Sequence, residues 1–352
     1  MQKVGIIFGG QYCEHDISIF SFKNFYSDIQ AAAIPKDINL SSIYYITRRG
    51  RVLVSKADLK KDAQFYYDPQ REPGGTIPDL FLRVQQESEF VYLICDGPAG
   101  KDGRFTSIGE GFGIRGTFGS PLGFGLSRSK FHMNRFVSNH YPGIHIPDTR
   151  YISNLEEVEN ACAFFTNKSV VVKSNSLGSS IHTAMFNLSC DPVKKVKALC
   201  AKILTLDRRA MIQEHISGDE LGCYCFEKDG NVDILGVKRF SSNGLVLDAQ
   251  EKYKSSDKSH DVYITKGLKT LKEFALTLFR DADLKDLSRM DFIVNDANKI
   301  YFLENNANPA LRGFIDAYTR KYASCTGYDM LRTFIENNLR RIQVSTDYFF
   351  DF

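Results

Sequence analysis

One stretch of this chain, Ser288–Ala310 (SRMDFIVNDANKIYFLENNANPA), concentrates the residue types that do chemistry. It reads as a hairpin, with a strand Arg289–Val294, a turn Asn295–Asn298 and a return strand Lys299–Glu304. A four-residue turn would pair Val294 with Lys299, Asp291 with Phe302 and Arg289 with Glu304. Side chains alternate across a strand. Arg289, Asp291, Glu304 and Asn306 therefore fall on one face. Met290, Phe292, Val294, Tyr301 and Leu303 fall on the other, a layer to be packed. The polar face collects two carboxylates, an amide oxygen and a guanidinium. Hard oxygen donors of this kind suit Mg²⁺ held between protein and nucleotide phosphates. The alternative is a solvated face with an Arg–Glu cross-strand pair, and a turn of another length would change the register.

A second stretch, VVVKSNSLGSSIH (Val170–His182), ends an apolar strand on Lys173 and continues into Gly178-Ser179-Ser180. Such a loop can offer backbone N–H groups and hydroxyls to phosphate oxygens, and the lysine adds a point charge. Many strands end this way without a ligand. DAQEKYK (Asp248–Lys254) reads, taken alone, as a charged surface loop. Gly111, Gly113 and Gly116 match G-x-G-x-x-G formally, but SIGE precedes them and TFGS follows. A dinucleotide fingerprint needs a strand before and a helix after, so these read as turn glycines. No Walker A pattern occurs, so ATP would need another mode of binding.

The elements that position these groups alternate in type. Lys3–Phe8 (KVGIIF) is a short apolar run ending at Gly9-Gly10, a buried strand entering a tight loop, with a helix from about Ile17. Strands recur at Ser42–Thr47 and Phe90–Cys95, which predicts an α/β domain with a largely parallel sheet to about Gly116. A helix follows around Leu126–His140. Ser169–Lys173 and Ala210–Glu214 are strands, Pro192–Lys202 and Leu268–Asp281 helices, and Leu221–Phe226 and Val232–Lys238 adjacent strands. The tail VSTDYFFDF is aromatic and acidic, suited to packing on the protein or on a second subunit.

Composition sets the outer limits. The 352 residues suggest two or three domains. Hydrophobic and charged fractions of 43% and 25% are those of a globular protein. A net charge of +3 without a Lys/Arg run argues against nucleic acid or membrane as a partner. No apolar stretch approaches a spanning helix, and MQKVGIIFGG lacks a signal peptide's features, which gives the expectation of a cytoplasmic protein. The eight cysteines read as reduced, mostly packed thiols. His132, His140, His145, His182, His215 and His260 show no metal-ligand spacing.

In order and spacing these pieces resemble the D-alanine–D-alanine ligase family of ATP-grasp enzymes. FGGQYCEHDIS (Phe8–Ser18) is similar to that family's first motif, SRSK ends on Lys130, and MIQEHISGDE (Met211–Glu220) resembles its adenine hinge. EKY (Glu251–Tyr253) resembles a mobile loop, and Arg289-x-Asp291 with Glu304-x-Asn306 keeps the family's thirteen-residue spacing between carboxylates. The resemblance implies an N-terminal parallel-sheet domain (1–116) and a two-subdomain ATP-grasp fold, central (117–215) and C-terminal with the metal site (216–352). It implies that Glu14 positions the first amino acid and that Lys130, Lys173, Gln213, Glu214, Glu220 and Lys252 bind ATP. Gly178-Ser179-Ser180 would cover phosphate and substrate. Asp291, Glu304 and Asn306 would hold two Mg²⁺, with Mn²⁺ as a possible substitute. Arg289 and the Ala310 N–H would stabilise an oxyanion, Tyr253 would belong to the mobile loop, and the assembly would be a homodimer.

The implied reaction is attack of a donor carboxylate on the γ-phosphate of ATP, then attack of an acceptor amine on the acyl phosphate. Four positions depart from the family. Asp96 stands where His opens H-G-x-x-G-E-D-G, Gln213 replaces a common Glu, and Ala310 replaces Gly. Ile315 occupies the place of a serine that holds the acceptor's carboxylate, a contact Arg312 could supply instead. Three readings follow: joining of two D-alanines for peptidoglycan, ligation to a different acceptor, or nucleotide binding without catalysis.

Overall fold

The computed structural model describes residues 2–32, 37–117, 119–240, 259–261, 267–309, 311–322 and 325–341, with backbone alone for 259–261 and 312. Their strands form three sheets. The first contains β1 (Gln2–Gly9), β2 (Ile38–Ile46), β3 (Arg51–Lys56), β4 (Gly75–Thr76) and β5 (Phe90–Leu93) in the order β4-β3-β2-β1-β5. β1 runs parallel to β2 and β5, whereas β2–β3 and β3–β4 are antiparallel. The expected parallel sheet is thus parallel at its centre and extended at one edge by a hairpin turning at Thr47–Gly50. β1 is buried on both faces: Val4, Ile6 and Phe8 face one core, Ile7 another. A strand covered on both sides reads as an unbroken apolar run.

Helix α1 (His15–Ala31) covers one face of this sheet, with Phe22 stacked on Phe8 at 3.8 Å between ring centroids. Helix α2 (Ile77–Glu87) covers the other; a Thr76–Asp79 capping box and a proline in its first turn start it. The N-terminal core also takes in the far end of the chain. Phe314 and Tyr318 of α9 (Leu311–Lys321) and Phe334 of α10 (Gly327–Arg340) belong to the same buried cluster as Phe8 and Phe22.

The second sheet holds β6 (Thr149–Ile152), β7 (Ser169–Ser174), β8 (Ala184–Asn187) and β9 (Ala210–Glu214) in the order β6-β9-β7-β8. Val196, Cys200 and Ile203 of α7 (Val193–Leu204) pack on it. The third holds β10 (Asp219–Lys228), β11 (Asn231–Phe240), β12 (Ser259–Asp261), β13 (Leu287–Val294) and β14 (Ile300–Asn306) in the order β12-β11-β10-β13-β14. One of its faces buries Cys223, Cys225, Met290, Phe292 and Phe302 against Leu271, Phe274 and Leu278 of α8 (Leu268–Asp281). Truncating a fully buried phenylalanine such as Phe292 to alanine costs about 3–5 kcal/mol.

The helix expected over Leu126–His140 is two helices, α4 (Pro121–Arg128) and α5 (Lys130–His140). Ser129 divides them because its hydroxyl caps α5 by accepting from the His132 N–H. Met133 and Val137 of α5 pack on the third sheet, so chain order and packing part company inside 117–215. Of the three glycines expected in turns, Gly113 is one, with φ +66°, whereas Gly111 is the last residue of a helix Arg104–Gly111 and Gly116 forms a bridge to Val91. Among the described residues the cysteines are free thiols, and no helix is long and apolar enough to cross a membrane.

Candidate active site

The second and third sheets border a cleft of about 530 Å³, and the hairpin β13–β14 supplies its acidic wall. The register differs from the one expected. Val294 pairs with Ile300 and Phe292 with Phe302, and then the ladder slips between Asp291 and Phe292, so that Asp291 faces Glu304 and Arg289 faces Asn306. Leu303 is the extra residue. Tyr301 and Leu303 are therefore not on the packed face. Phe302 is, with no exposure, beside Phe292. In an unbroken ladder Glu304 would follow Phe302 into the core. The bulge turns it back to the cleft, a common use of bulges near functional groups.

The polar groups of this wall hold one another. Arg289 donates from Nε and Nη2 to the two carboxylate oxygens of Asp291 at 2.7 and 2.8 Å. Burial works against the guanidinium's charge, but the Asp291 carboxylate outweighs it and raises the Arg289 pKa. Asn306 Nδ2 donates to Asp291 at 3.4 Å and to Glu304 at 3.5 Å. Lys130, at the first position of α5, pairs with Glu304 at 3.0 Å and donates to the Leu177 carbonyl at 3.0 Å. The N-terminus of α5 is tied to the second sheet as well: Asn175 accepts from the Phe131 N–H at 2.8 Å and, through its carbonyl, from the Lys130 N–H at 3.2 Å. Those N–H groups would otherwise be orphans of the helix end.

The Gly-Ser-Ser loop closes one side of the cleft. Ser179 and Ser180 have φ of +56° and +54°, sparsely populated for residues with a side chain. Gly178 donates its N–H to Glu14 Oε1 at 3.2 Å, and a Cβ at that position would stand 2.8 Å from the same oxygen, so glycine is required for the approach. Glu14 itself is 2% exposed and accepts from Arg128 Nη2 at 2.7 Å. It is held where β1 turns through Gly9-Gly10 into α1. Gly9 has φ +92°, with the Ile46 carbonyl 2.2 Å from where a Cβ would lie. Glu14 thus joins the first sheet to the loop of the second, beyond the carboxyl ends of parallel strands, where α/β sheets bind ligands.

Of the expected site residues, Lys130, Lys173, Ser179, Gln213, Glu214, Glu220, Asp291 and Glu304 line the cleft together. Arg289 and Asn306 adjoin its acids, and Glu14 lies behind the loop. Gln213 is buried and donates to Thr149 Oγ1 at 2.9 Å, while the Glu214 carboxylate is engaged by Lys168 at 2.9 Å. Lys252, Tyr253 and Ala310, the Arg312 side chain and the aromatic tail lie outside the described residues. Sequence reasoning passed over Arg128, although it sits two residues before Lys130, and also Phe240, Ile293 and Leu303, apolar lining residues of the cleft. Flat apolar walls beside polar groups are the usual lining of a small-molecule site.

Two departures have structural outcomes. Asp96 is buried, pairs with Lys101 and accepts from Ser21 Oγ at 3.2 Å. Lys101, the partner of Asp96, occupies the glutamate position of the H-G-x-x-G-E-D-G pattern. Ile315 packs on the N-terminal apolar cluster, against Gly327.

The donor set fits Mg²⁺. Among the described residues no cluster of three His, Cys, Asp or Glu side chains could hold a metal. Two facing carboxylates and an amide oxygen, beside lysines that suit phosphate, are nevertheless what Mg²⁺ accepts, since it completes its shell with phosphate oxygens and water.

Comparison with known proteins follows this geometry. A family model described as D-ala D-ala ligase N-terminus matches residues 3–117, and one described as D-ala D-ala ligase C-terminus matches residues 142–327. A D-alanine–D-alanine ligase of Staphylococcus epidermidis is 26% identical over 335 residues, covering 89% of this chain and 88% of that protein. Among solved structures, the VanG D-Ala:D-Ser ligase from Enterococcus faecalis matches with a TM-score of 0.74 at 18% identity, covering 96% of this chain and 99% of its own. The D-alanine–D-alanine ligase from Bacillus anthracis complexed with ATP matches with a TM-score of 0.65 at 17% identity, covering 97% and 98%. At such identities the two structures are likenesses of fold.

Proposed function

This chain belongs to the D-alanine–D-alanine ligase family and is an ATP-dependent ligase, and from that premise we propose that it joins two D-alanines as a peptidoglycan precursor in the cytoplasm, as a homodimer. The observation that carries the reading is the cleft in which Lys130 and Lys173 meet the facing acids Asp291 and Glu304. ATP would lie there, with its adenine by the strand ending at Glu214, its ribose at Glu220 and its phosphates toward the two lysines and the Ser179–Ser180 loop. Lys252 and Tyr253 would complete the phosphate side. Asp291, Glu304 and Asn306 would hold one or two Mg²⁺, or Mn²⁺, whose charge would offset that of the phosphates.

A carboxylate oxygen of the donor forms a bond to the γ-phosphorus, and ADP leaves. The acceptor's neutral amine then attacks the acyl carbon, its proton passes to solvent, and phosphate departs with the former carboxylate oxygen. Glu14 orients the donor from behind the Gly178 loop, and Arg289 with the Ala310 N–H stabilises the tetrahedral oxyanion. Positioning of the two amino acids supplies much of the acceleration.

A second reading, the same chemistry with another acceptor, is favoured by Ile315. That residue packs into apolar surroundings and offers no donor to a carboxylate; Arg312 would be its substitute. Phosphate release from ATP and Mg²⁺ with D- and L-amino acids, singly and in pairs, with products identified by mass, separates the two. D-alanyl-D-alanine from D-alanine alone upholds the first reading, and release only with a mixed pair upholds the second. ATP binding without turnover across the panel would sink both.

A further inference from the structure

The second sheet turns one row of side chains toward the cleft. Thr149 of β6 pairs with Gln213 of β9, and Gln213 with Val171 of β7. Residues paired across strands share a face. Val171 and Gln213 line the cleft, as does Lys173, two residues further along the same face of β7. Val170, Val172 and Ile212, of opposite parity, are buried with Val196 and Ile203 of α7 on the other side of the sheet.

The orientation of the Gln213 amide is decided by its neighbours. The Thr149 hydroxyl donates to the Pro147 carbonyl oxygen at 2.7 Å. A carbonyl cannot donate and a hydroxyl has one proton, so the Thr149 oxygen can only accept from its other partner. That partner is the Gln213 amide nitrogen, at 2.9 Å. The relay from Gln213 through Thr149 to Pro147 therefore holds the nitrogen of the amide and turns its oxygen away from Thr149. Among the described residues nothing donates to that oxygen. What Gln213 has left to offer the cleft is an acceptor. Set in a wall with apolar neighbours, it gains from a ligand that donates to it and penalises one that does not.

A glutamate, common at this position in the family, would need no such device, because both of its oxygens accept. In a glutamine the two ends differ, and what is read depends on which end faces the ligand. Resting on the ATP reading above, we propose that Thr149 is a positioning residue for nucleobase recognition. It presents the Gln213 oxygen to the exocyclic 6-amino group of adenine. A purine with a 6-oxo group brings a second acceptor to the same point, and a buried polar group left unpaired in this way is a strong means of rejection.

The test compares ATP with inosine triphosphate, which carries oxygen in place of the 6-amino group. Dissociation constants are measured by calorimetry with Mg²⁺ present. The wild type favours ATP. Thr149→Val keeps the shape and removes the hydroxyl, so the amide is free to turn its nitrogen to a 6-oxo group. Binding of inosine triphosphate then tightens while that of ATP does not, and the preference falls ~10-fold, about the worth of one hydrogen bond. Thr149→Ser keeps the hydroxyl and the preference. Gln213→Glu prefers ATP, and adding Thr149→Val to it leaves the ratio alone, because a carboxylate has no donor end to turn. A threonine that only supports β6 would weaken both nucleotides alike. An unchanged ratio in a Thr149→Val variant that melts like the wild type overturns the proposal, and Thr149→Ala is read in the same way if the valine variant does not fold. Equal binding of the two nucleotides by the wild type also overturns it and leaves the ligase reading standing. Absence of ATP binding by the wild type would instead remove the ATP reading, and this inference with it.

Discussion

Asp291 and Glu304 are proposed to share one metal site, yet their removal should be felt differently by the fold. Asp291 is 2% exposed and carries both arms of the Arg289 fork. Asp291→Asn removes one charge and leaves a buried guanidinium without its counterion. Two unit charges about 4 Å apart interact by about 4 kcal/mol at an effective dielectric of about 20, and breaking buried pairs costs about 3–5 kcal/mol. Glu304 is 21% exposed at its side chain and makes one 3.0 Å contact with Lys130. Glu304→Gln keeps an acceptor oxygen there, so the loss is about 1–2 kcal/mol. Both variants should lose turnover, as measured by phosphate release. Asp291→Asn should also lower the melting temperature by about 4–7 °C, against about 1–3 °C for Glu304→Gln. Arg289→Met combined with Asp291→Asn should recover most of the difference, because the uncompensated charge goes with its partner. Melting curves of the four proteins decide it. Equal melting temperatures for the two single variants, within about 2 °C, would refute the view that the fork secures the acid.

Lys173→Ala should weaken ATP binding by ~10- to 100-fold, measured by calorimetry, since a charged donor to phosphate is lost; unchanged affinity would remove Lys173 from the nucleotide site. Ile315→Ser should lower stability by about 1–3 kcal/mol, without lowering the acceptor's KM. A lowered KM would mean that this position faces the acceptor after all. His15 has its pKa pushed below the usual value near 6.5 by burial, which outweighs its bond to the Gly10 carbonyl. The folded state then binds fewer protons than the unfolded one, and stability rises with pH until about 6.5 and levels off above it. His15→Gln should flatten that rise in urea midpoints taken between about pH 5 and 8; an unaltered slope would exonerate His15.

How far the sequence could be read depended on whether a feature was local. Leu268–Asp281 and Ala210–Glu214 have the bounds that their apolar spacing predicted. The acid pair was found by two deviations that cancel. The turn is longer than four residues, which alone would shift Glu304 to the packed face, and the bulge at Leu303 shifts it back. A signal was present: Ile300 and Phe302 are apolar while Glu304 and Asn306 are polar at the same parity, which no unbroken strand accommodates. The break at Ser129 was likewise legible as a cap inside SRSK. What no local pattern carries is long-range packing. Phe314 and Tyr318 of α9 and Phe334 of α10 pack with the N-terminal sheet, and nothing in the sequence near them names that sheet as their partner. The same holds for Arg128 with Glu14.

The central claim, transfer of phosphate to a carboxylate followed by its displacement by an amine, is tested most directly by an isotope. D-alanine labelled with ¹⁸O in its carboxylate is turned over with ATP and Mg²⁺, and the phosphate released is analysed by mass spectrometry. One labelled oxygen in each phosphate formed with product is the predicted result, because the donor's oxygen leaves with the phosphoryl group. Unlabelled phosphate, released as fast as product appears, would contradict the acyl-phosphate route.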